Sequence, residues 1–239
     1  MNPPKALIFD LDGVLVNSEP LHQRDWLTVF RERGIDFPEE QLPRLQGLRG
    51  EQVVEWLNEA FAEAVRGVDM EALIQEKRRL FMEQSIGELE AIPGAEALLR
   101  SQKGKLPLAL VTSARLKIVG RVLFHFNWRN VFDALVGAEH VTHSKPHPEP
   151  FQKAVERFRL KAGDCVVFED SVVGVQSARA AGCRVCGVTS TTDARTLEDA
   201  GAHWTISDFE DERILEKILA GAAPPGSGGW LKRLFGGKS

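Results

Sequence analysis

Short apolar runs at residues 6–9, 108–111, 134–136, 165–168, 184–188 and 204–206 recur along the chain. Each is too short for a helix and reads as a buried strand. Between most of them lie helical patterns, at 95–102 after Pro93-Gly94, at 116–126, at 148–158 with prolines suited to a first turn, and at 172–181 before Gly182. Strands that alternate with helices predict a parallel α/β sheet.

One region breaks the alternation. From Pro20 to Gly87 the pattern is helical throughout, at 21–33 before Gly34, at 51–65 and at 70–85. The expected architecture is a Rossmann-like parallel sheet core (1–16 and 88–220) with a helical cap (17–87) inserted after the first strand. A cap so placed can cover the end of the sheet that follows Phe9 and exclude water there; the alternative is a subdomain that only packs. Residues 221–239 have linker composition up to Gly229, followed by the small basic, apolar patch Trp230-Leu-Lys-Arg-Leu-Phe235. That patch is too short to span a bilayer, and weak docking competes with a frayed terminus.

Composition narrows the class. With 239 residues, 43% hydrophobic and 27% charged, the chain has ordinary globular composition and enough material for one domain with an insertion. A net charge of -4 and a pI near 5.9, without a long basic run in the body, argue against nucleic acid as a partner. Cys165, Cys183 and Cys186 suit buried thiols rather than a disulfide framework. A strand would hold the Cys183/Cys186 pair on opposite faces, and no second pair completes a zinc site. Met1-Asn-Pro-Pro-Lys5 is unlike a signal peptide, so the cytoplasm is the expected compartment. Oligomeric state leaves no trace in the sequence.

The chemistry-bearing residues fall where these strands end. Asp10-Leu-Asp12-Gly13 follows the first apolar run, and ligands of open parallel sheets bind outside the carboxyl ends of strands. Thr112-Ser113 follows the second, Lys145 stands in His143-Ser-Lys-Pro-His-Pro148, and Glu169-Asp170-Ser171 follows the run at 165–168. Singly, each has an ordinary reading as a turn, a helix cap or a solvated charge. Together they supply a nucleophile, a proton carrier, charge neutralisers and a magnesium site, the parts that phosphoryl transfer needs.

In order and spacing, D-x-D-G-V, T-S, K-P-x-P and E-D-S resemble the haloacid dehalogenase superfamily of phosphotransferases across residues 5–210. The resemblance implies Asp10 as the nucleophile that forms an aspartyl phosphate, and Asp12 as general acid and then base. It implies Thr112 on the phosphoryl oxygens, Lys145 offsetting charge, and Mg2+ held by Asp10, Asp170 and the Asp12 backbone, with Glu169 a direct or water-mediated ligand. Asp12, where a dehalogenase reading would have wanted an apolar residue, favours phosphate chemistry.

Within the superfamily, the early helical insertion and Val14-Leu-Val-Asn-Ser18-Glu-Pro-Leu-His22 look like the group of β-phosphoglucomutase and small sugar-phosphate phosphatases. Likeness to that group brings His22, Trp26 and the loop Gln46-Gly47-Leu48-Arg49-Gly50 to the substrate, with Ser113 and Arg115 as further binding candidates. For Trp26 a core position, and for His22 a surface one, are the alternatives. Lys77 could add a phosphate contact or lie on a solvated helix face. The mutase carries an arginine three positions after the loop glycine; here that place is Gly50, and the cation stands one residue early at Arg49. The departure favours a magnesium-dependent phosphatase of a small phosphorylated metabolite, a sugar phosphate, over a hexose phosphate mutase. A catalytically silent binding module is disfavoured because no motif member is missing.

Overall fold

All six apolar runs are strands in the computed structural model, which describes residues 2–45, 48 and 50–219. They are β1 (Ala6–Phe9), β2 (Leu108–Val111), β3 (Ala134–Val136), β4 (Cys165–Glu169), β5 (Arg184–Val188) and β6 (Trp204–Ile206). They form one sheet in the order β3-β2-β1-β4-β5-β6, and every pairing is parallel. Strand β4 runs one residue beyond the apolar run, because Glu169 pairs with Gly187 while keeping its carboxylate inside the protein.

Parallel neighbours require crossovers, and helices supply them. The chain forms α1 (Glu19–Glu32), α2 (Gly50–Ala60), α3 (Met70–Glu83) and α4 (Ala95–Gln102) before β2. After it come α5 (Leu116–His125), α6 (Glu149–Phe158), α7 (Val172–Ala180), α8 (Ala194–Asp199) and α9 (Glu212–Leu219). Side chains alternate between the two faces of a strand. Leu7, Phe9, Leu110 and Phe168 therefore pack with α4, α5 and α9, while Ala6, Ile8, Ala109 and Val167 pack with α6, α7 and α8. The same alternation separates Cys186 from Cys183, which lie in the two different cores as free, buried thiols.

Helices α1 to α3 build a third apolar cluster from Trp26, Val29, Phe30, Val53, Leu57 and Leu73. The helix expected at 51–65 stops at Ala60. Turns follow, and Phe61 packs its ring 5.3 Å from Phe37 and 5.1 Å from Trp56. The helix expected at 70–85 ends at Glu83 and gives way to a 3-10 turn over Ser85–Glu88. Helix α8 was not expected, since six residues with only Leu197 buried show too little periodicity. Helix α9 also went unread, although Leu215, Ile218 and Leu219 are buried. No helix among the described residues is long and apolar enough to cross a membrane.

Strand order fixes where a ligand can sit. β1 has β2 on one side and β4 on the other, so the chain direction of assembly reverses at β1, and crevices open at such switch points beyond the carboxyl ends.

Candidate active site

Asp10 is the first residue past β1, and its backbone N–H still donates to the Phe168 carbonyl at 3.0 Å. Beneath it the Phe9 and Phe168 rings stack at 5.0 Å, which brings the ends of β1 and β4 level and sets Asp10 beside Glu169 and Asp170. Carboxylate oxygens of these three residues lie within 4.8 Å of one another. Two glycines make the crowding possible. A Cβ on Gly13, where φ is +72°, would stand 2.0 Å from an Asp170 carboxylate oxygen, and one on Gly174 would stand 2.0 Å from the Glu169 carboxyl carbon.

Lys145 answers the three carboxylates. Its Nζ lies 3.0 Å from Asp10 Oδ1, hydrogen-bonds Glu169, and reaches the Val111 carbonyl at 3.4 Å. Glu169, fully buried, also accepts from the Asp170 and Ser171 N–H groups and the Ser171 hydroxyl. Asp170 accepts from the Thr191 hydroxyl. By contrast, Asp10 Oδ1 is buried and receives no well-directed hydrogen bond.

The electrostatics follow from this imbalance. Burial pushes the Asp10 carboxyl up to about 7; Lys145 opposes the rise, while Glu169 and Asp12 add to it. Burial also lifts Asp170 well above the ordinary range, with Glu169 and Asp10 adding to it. For Lys145, burial alone would lower the ammonium, but Asp10 and Glu169 reverse that and hold it above its usual value. Three carboxylates against one ammonium leave excess negative charge in a poorly solvated place. An all-oxygen donor set in which the buried Asp10 Oδ1 meets the Lys145 ammonium but receives no well-directed hydrogen bond fits a hard divalent cation.

Asp12 has a different environment. It is partly exposed, accepts a 2.6 Å hydrogen bond from the Ser18 hydroxyl and faces His22 Nε2 at 3.7 Å. Burial would raise its carboxyl, but His22, with Ser18 and Lys77, more than offsets this and holds it low. His22 in turn meets Lys77, whose Nζ lies 2.6 Å from Nδ1. An ammonium has only hydrogens to offer, so Nδ1 accepts and the neutral ring turns its Nε2 hydrogen toward Asp12. Lys77 is not on a solvated helix face. It is buried, 5.0 Å from the Phe81 ring centroid and 5.7 Å from that of Trp26, and burial draws its ammonium down to about 8 despite Asp25, Asp12 and Glu19.

One cavity of about 910 Å³ joins these groups. Asp10, Asp12, Thr112, Lys145 and Asp170 line it from the sheet, and His22, Trp26 and Lys77 from α1 and α3. Ser113 and Arg115 line it as well, so the residues expected at the site converge there, except that Glu169 stands behind the wall and Gly47 and Arg49 lie outside the described residues. Thr112 is buried, and its hydroxyl accepts the Ala114 N–H at 3.0 Å. Arg115 reaches Glu51 at 3.8 Å, where Arg78 already makes a 2.8 Å contact. Trp26 is both core and wall, buried in the third cluster with one edge on the cavity.

Sequence reading missed Ser18, Thr191, Glu51 and Arg78. Ser18 stands at the N-cap of α1 yet makes no capping bond, and spends its hydroxyl on Asp12. Ser171 shows the ordinary alternative, capping α7 through the Gly174 N–H at 3.1 Å. Nothing in local sequence separates the two serines; only the fold does.

Comparison with known proteins gives the same outline. A family model described as "Haloacid dehalogenase-like hydrolase" matches residues 7–188. The chain is 34% identical over 180 residues to fructose-1-phosphate phosphatase YqaB of Escherichia coli, covering 74% of this chain and 92% of that protein. It is 32% identical to a phosphorylated carbohydrates phosphatase of Thermotoga maritima, covering 90% and 100% respectively. A crystal structure from Thermotoga maritima, provisionally described as a beta-phosphoglucomutase, superposes with a TM-score of 0.72 at 31% identity, over 90% of this chain and all of that one.

Proposed function

The chain belongs to the haloacid dehalogenase-like hydrolases, and from that premise we propose that it is a magnesium-dependent phosphatase of a small phosphorylated metabolite, a sugar phosphate, working through an aspartyl phosphate on Asp10. The observation that carries the reading is the pairing of two unlike carboxylates in one cavity. Asp10 is buried against Lys145, its Oδ1 ion-paired there without a well-directed hydrogen bond, and Asp12 is held low by His22 and Ser18. Two acids in contrasting environments support a division between nucleophile and proton carrier.

In the first half-reaction an Asp10 oxygen attacks phosphorus, the bond to the leaving oxygen breaks, and Asp12 donates its proton to that oxygen. An arriving phosphate raises the Asp12 carboxyl, as any nearby negative charge does, and so favours the protonated form needed then. In the second, Asp12 takes a proton from water as the water oxygen attacks phosphorus, releasing phosphate and restoring Asp10. Thr112 donates to a phosphoryl oxygen, and Lys145 balances the charge on Asp10 and phosphate. Asp10, Asp170 and the Asp12 carbonyl would hold magnesium, with Glu169 direct or through water. The ion supplies neutralisation of the phosphoryl oxygens.

In the same reading, residues 1–16 and 88–220 form the core, and 17–87 a cap whose His22, Lys77, Gly47 and Arg49, with Ser113 and Arg115 of the core, contact the substrate. Three free, buried thiols support a reducing compartment, the cytoplasm. The likeness to the Thermotoga maritima structure keeps a hexose phosphate mutase as the second reading. Screening phosphorylated metabolites for phosphate release and for isomerisation separates the two. A purified protein that with magnesium did neither would overturn both.

A further inference from the structure

A second set of metal-ligating side chains lies outside this centre. His143, His147 and Glu149 fall within one stretch of seven residues, running from the loop after β3 to the first residue of α6, that also carries Lys145. One donor atom from each lies within 4.8 Å of the others, and both histidines are exposed. The His143 and His147 ring centroids are 4.5 Å apart and the rings are inclined by 31°.

Glu149 is fixed and charged. Its Oε1 accepts from Thr142 N–H at 2.9 Å and pairs with Lys153 at 3.0 Å, and its Oε2 accepts from His143 N–H at 2.8 Å. Oε2 also faces His143 Nδ1 at 3.1 Å. Across the loop, the Ser177 hydroxyl holds the His147 carbonyl at 2.6 Å.

We infer that His143, His147 and Glu149 form a surface site for a divalent transition ion of the zinc type, separate from the carboxylate cluster. Two imidazoles and one carboxylate are a zinc-type donor set that leaves a fourth position for water, whereas magnesium prefers oxygen donors. An ion bonded at about 2.1 Å to His143 Nδ1 and Glu149 Oε2 spans the 3.1 Å between them at an angle of about 95°, and widening that gap by about 0.3 Å makes the angle tetrahedral. It takes the place of any proton between those two atoms, and the neutral His143 ring that binds through Nδ1 carries its single proton on Nε2, facing solvent. His147 turns to complete the set, giving up the 3.2 Å hydrogen bond its Nδ1 accepts from Glu149 N–H.

The test uses the untagged full chain in excess magnesium, titrated with Co2+ and followed by visible d–d absorption. Wild-type protein and Asp170→Asn both show one ion with the intense bands of a four- or five-coordinate imidazole site. His143→Gln/His147→Gln weakens that binding by at least about tenfold while its circular dichroism is unchanged. Were the double variant to misfold, His143→Gln alone serves, since that side chain is 62% exposed. Bands that persist in the histidine variants, bands lost instead in Asp170→Asn, or no bands at all overturn the inference.

Discussion

Ser18 donates a 2.6 Å hydrogen bond to Asp12 from a helix N-cap at which its hydroxyl makes no capping bond. The bond helps hold the Asp12 carboxyl low, against burial. Ser18→Ala removes it, so the Asp12 carboxyl rises and the base form is lost at a higher pH. The expected outcome is an acid limb of the kcat profile displaced upward, with a stability loss of about 1 kcal/mol. A pH–rate profile in which the limb stays put would remove Ser18 from any part in setting Asp12.

Asp10→Asn should reduce turnover by at least about a thousandfold, as loss of a nucleophile does. Folding should survive, because the amide removes a charge from a cluster already short of cations. Phosphate release at a normal rate from the variant would sink the aspartyl-phosphate reading.

Without divalent ion, Asp10 makes stability depend on pH in a defined direction. Its folded carboxyl titrates at about 7 against an ordinary 3.8, so between those values the folded state binds more protons than the unfolded one. Stability therefore falls as pH rises through that window, by a few kcal/mol at most. Magnesium removes the penalty, so the rise in Tm on adding it is larger at about pH 8 than at about pH 5. In Asp10→Asn the difference between the two pH values shrinks. Equal magnesium shifts in wild-type protein at both would count against ion binding at Asp10.

Lys77 titrates at about 8 rather than 10.5, so its ammonium is lost to His22 as pH rises through 8. Lys77→Met should lower kcat/KM about tenfold, equivalent to about 1.4 kcal/mol, and remove an alkaline limb near that pH. The folded state holds fewer protons than the unfolded chain between about 8 and 10.5, so wild-type stability gains from Lys77 across that range. The variant lacks that gain, which chemical denaturation at two pH values measures.

Gly174→Ala places a methyl 2.0 Å from the Glu169 carboxyl carbon. Glu169 is walled in and cannot swing to solvent, so the substitution should cost about 1 to 3 kcal/mol and loosen the contact with Lys145. Urea unfolding and magnesium affinity should fall together; an unchanged midpoint would show that the cradle yields.

Much of this was legible from the chain because a buried parallel strand announces itself as an apolar run, and in this topology the residue after the run faces the crevice. Asp10 and Thr112 follow from that rule, whereas after 165–168 the strand takes in Glu169 and it is Asp170, one residue further, that reaches the cavity. Lys145 does not, since it lies nine residues past β3, and only its motif marked it. The burial of Lys77 was illegible, because the helix pattern of α3 does not reveal that His22 and Phe81 meet over it. Nor does sequence show that Gly174 is vacant for the sake of a carboxylate five residues earlier.

The central position of β1 also governs how the protein comes into being. Lys5 bonds to Asp164, a partner 159 residues later in the chain, and β1 lies between β2 and β4. At about 5 to 20 residues per second, a growing chain carries the apolar segment of β1 for about 8 to 30 s before β4 emerges to cover it. Stalled nascent chains ending before β4 should thus leave β1 open to protease and to chaperone, and chains extended past β5 should protect it. The same placement that puts the nucleophile at the middle of the sheet gives its strand the longest wait between its own synthesis and the arrival of its second neighbour.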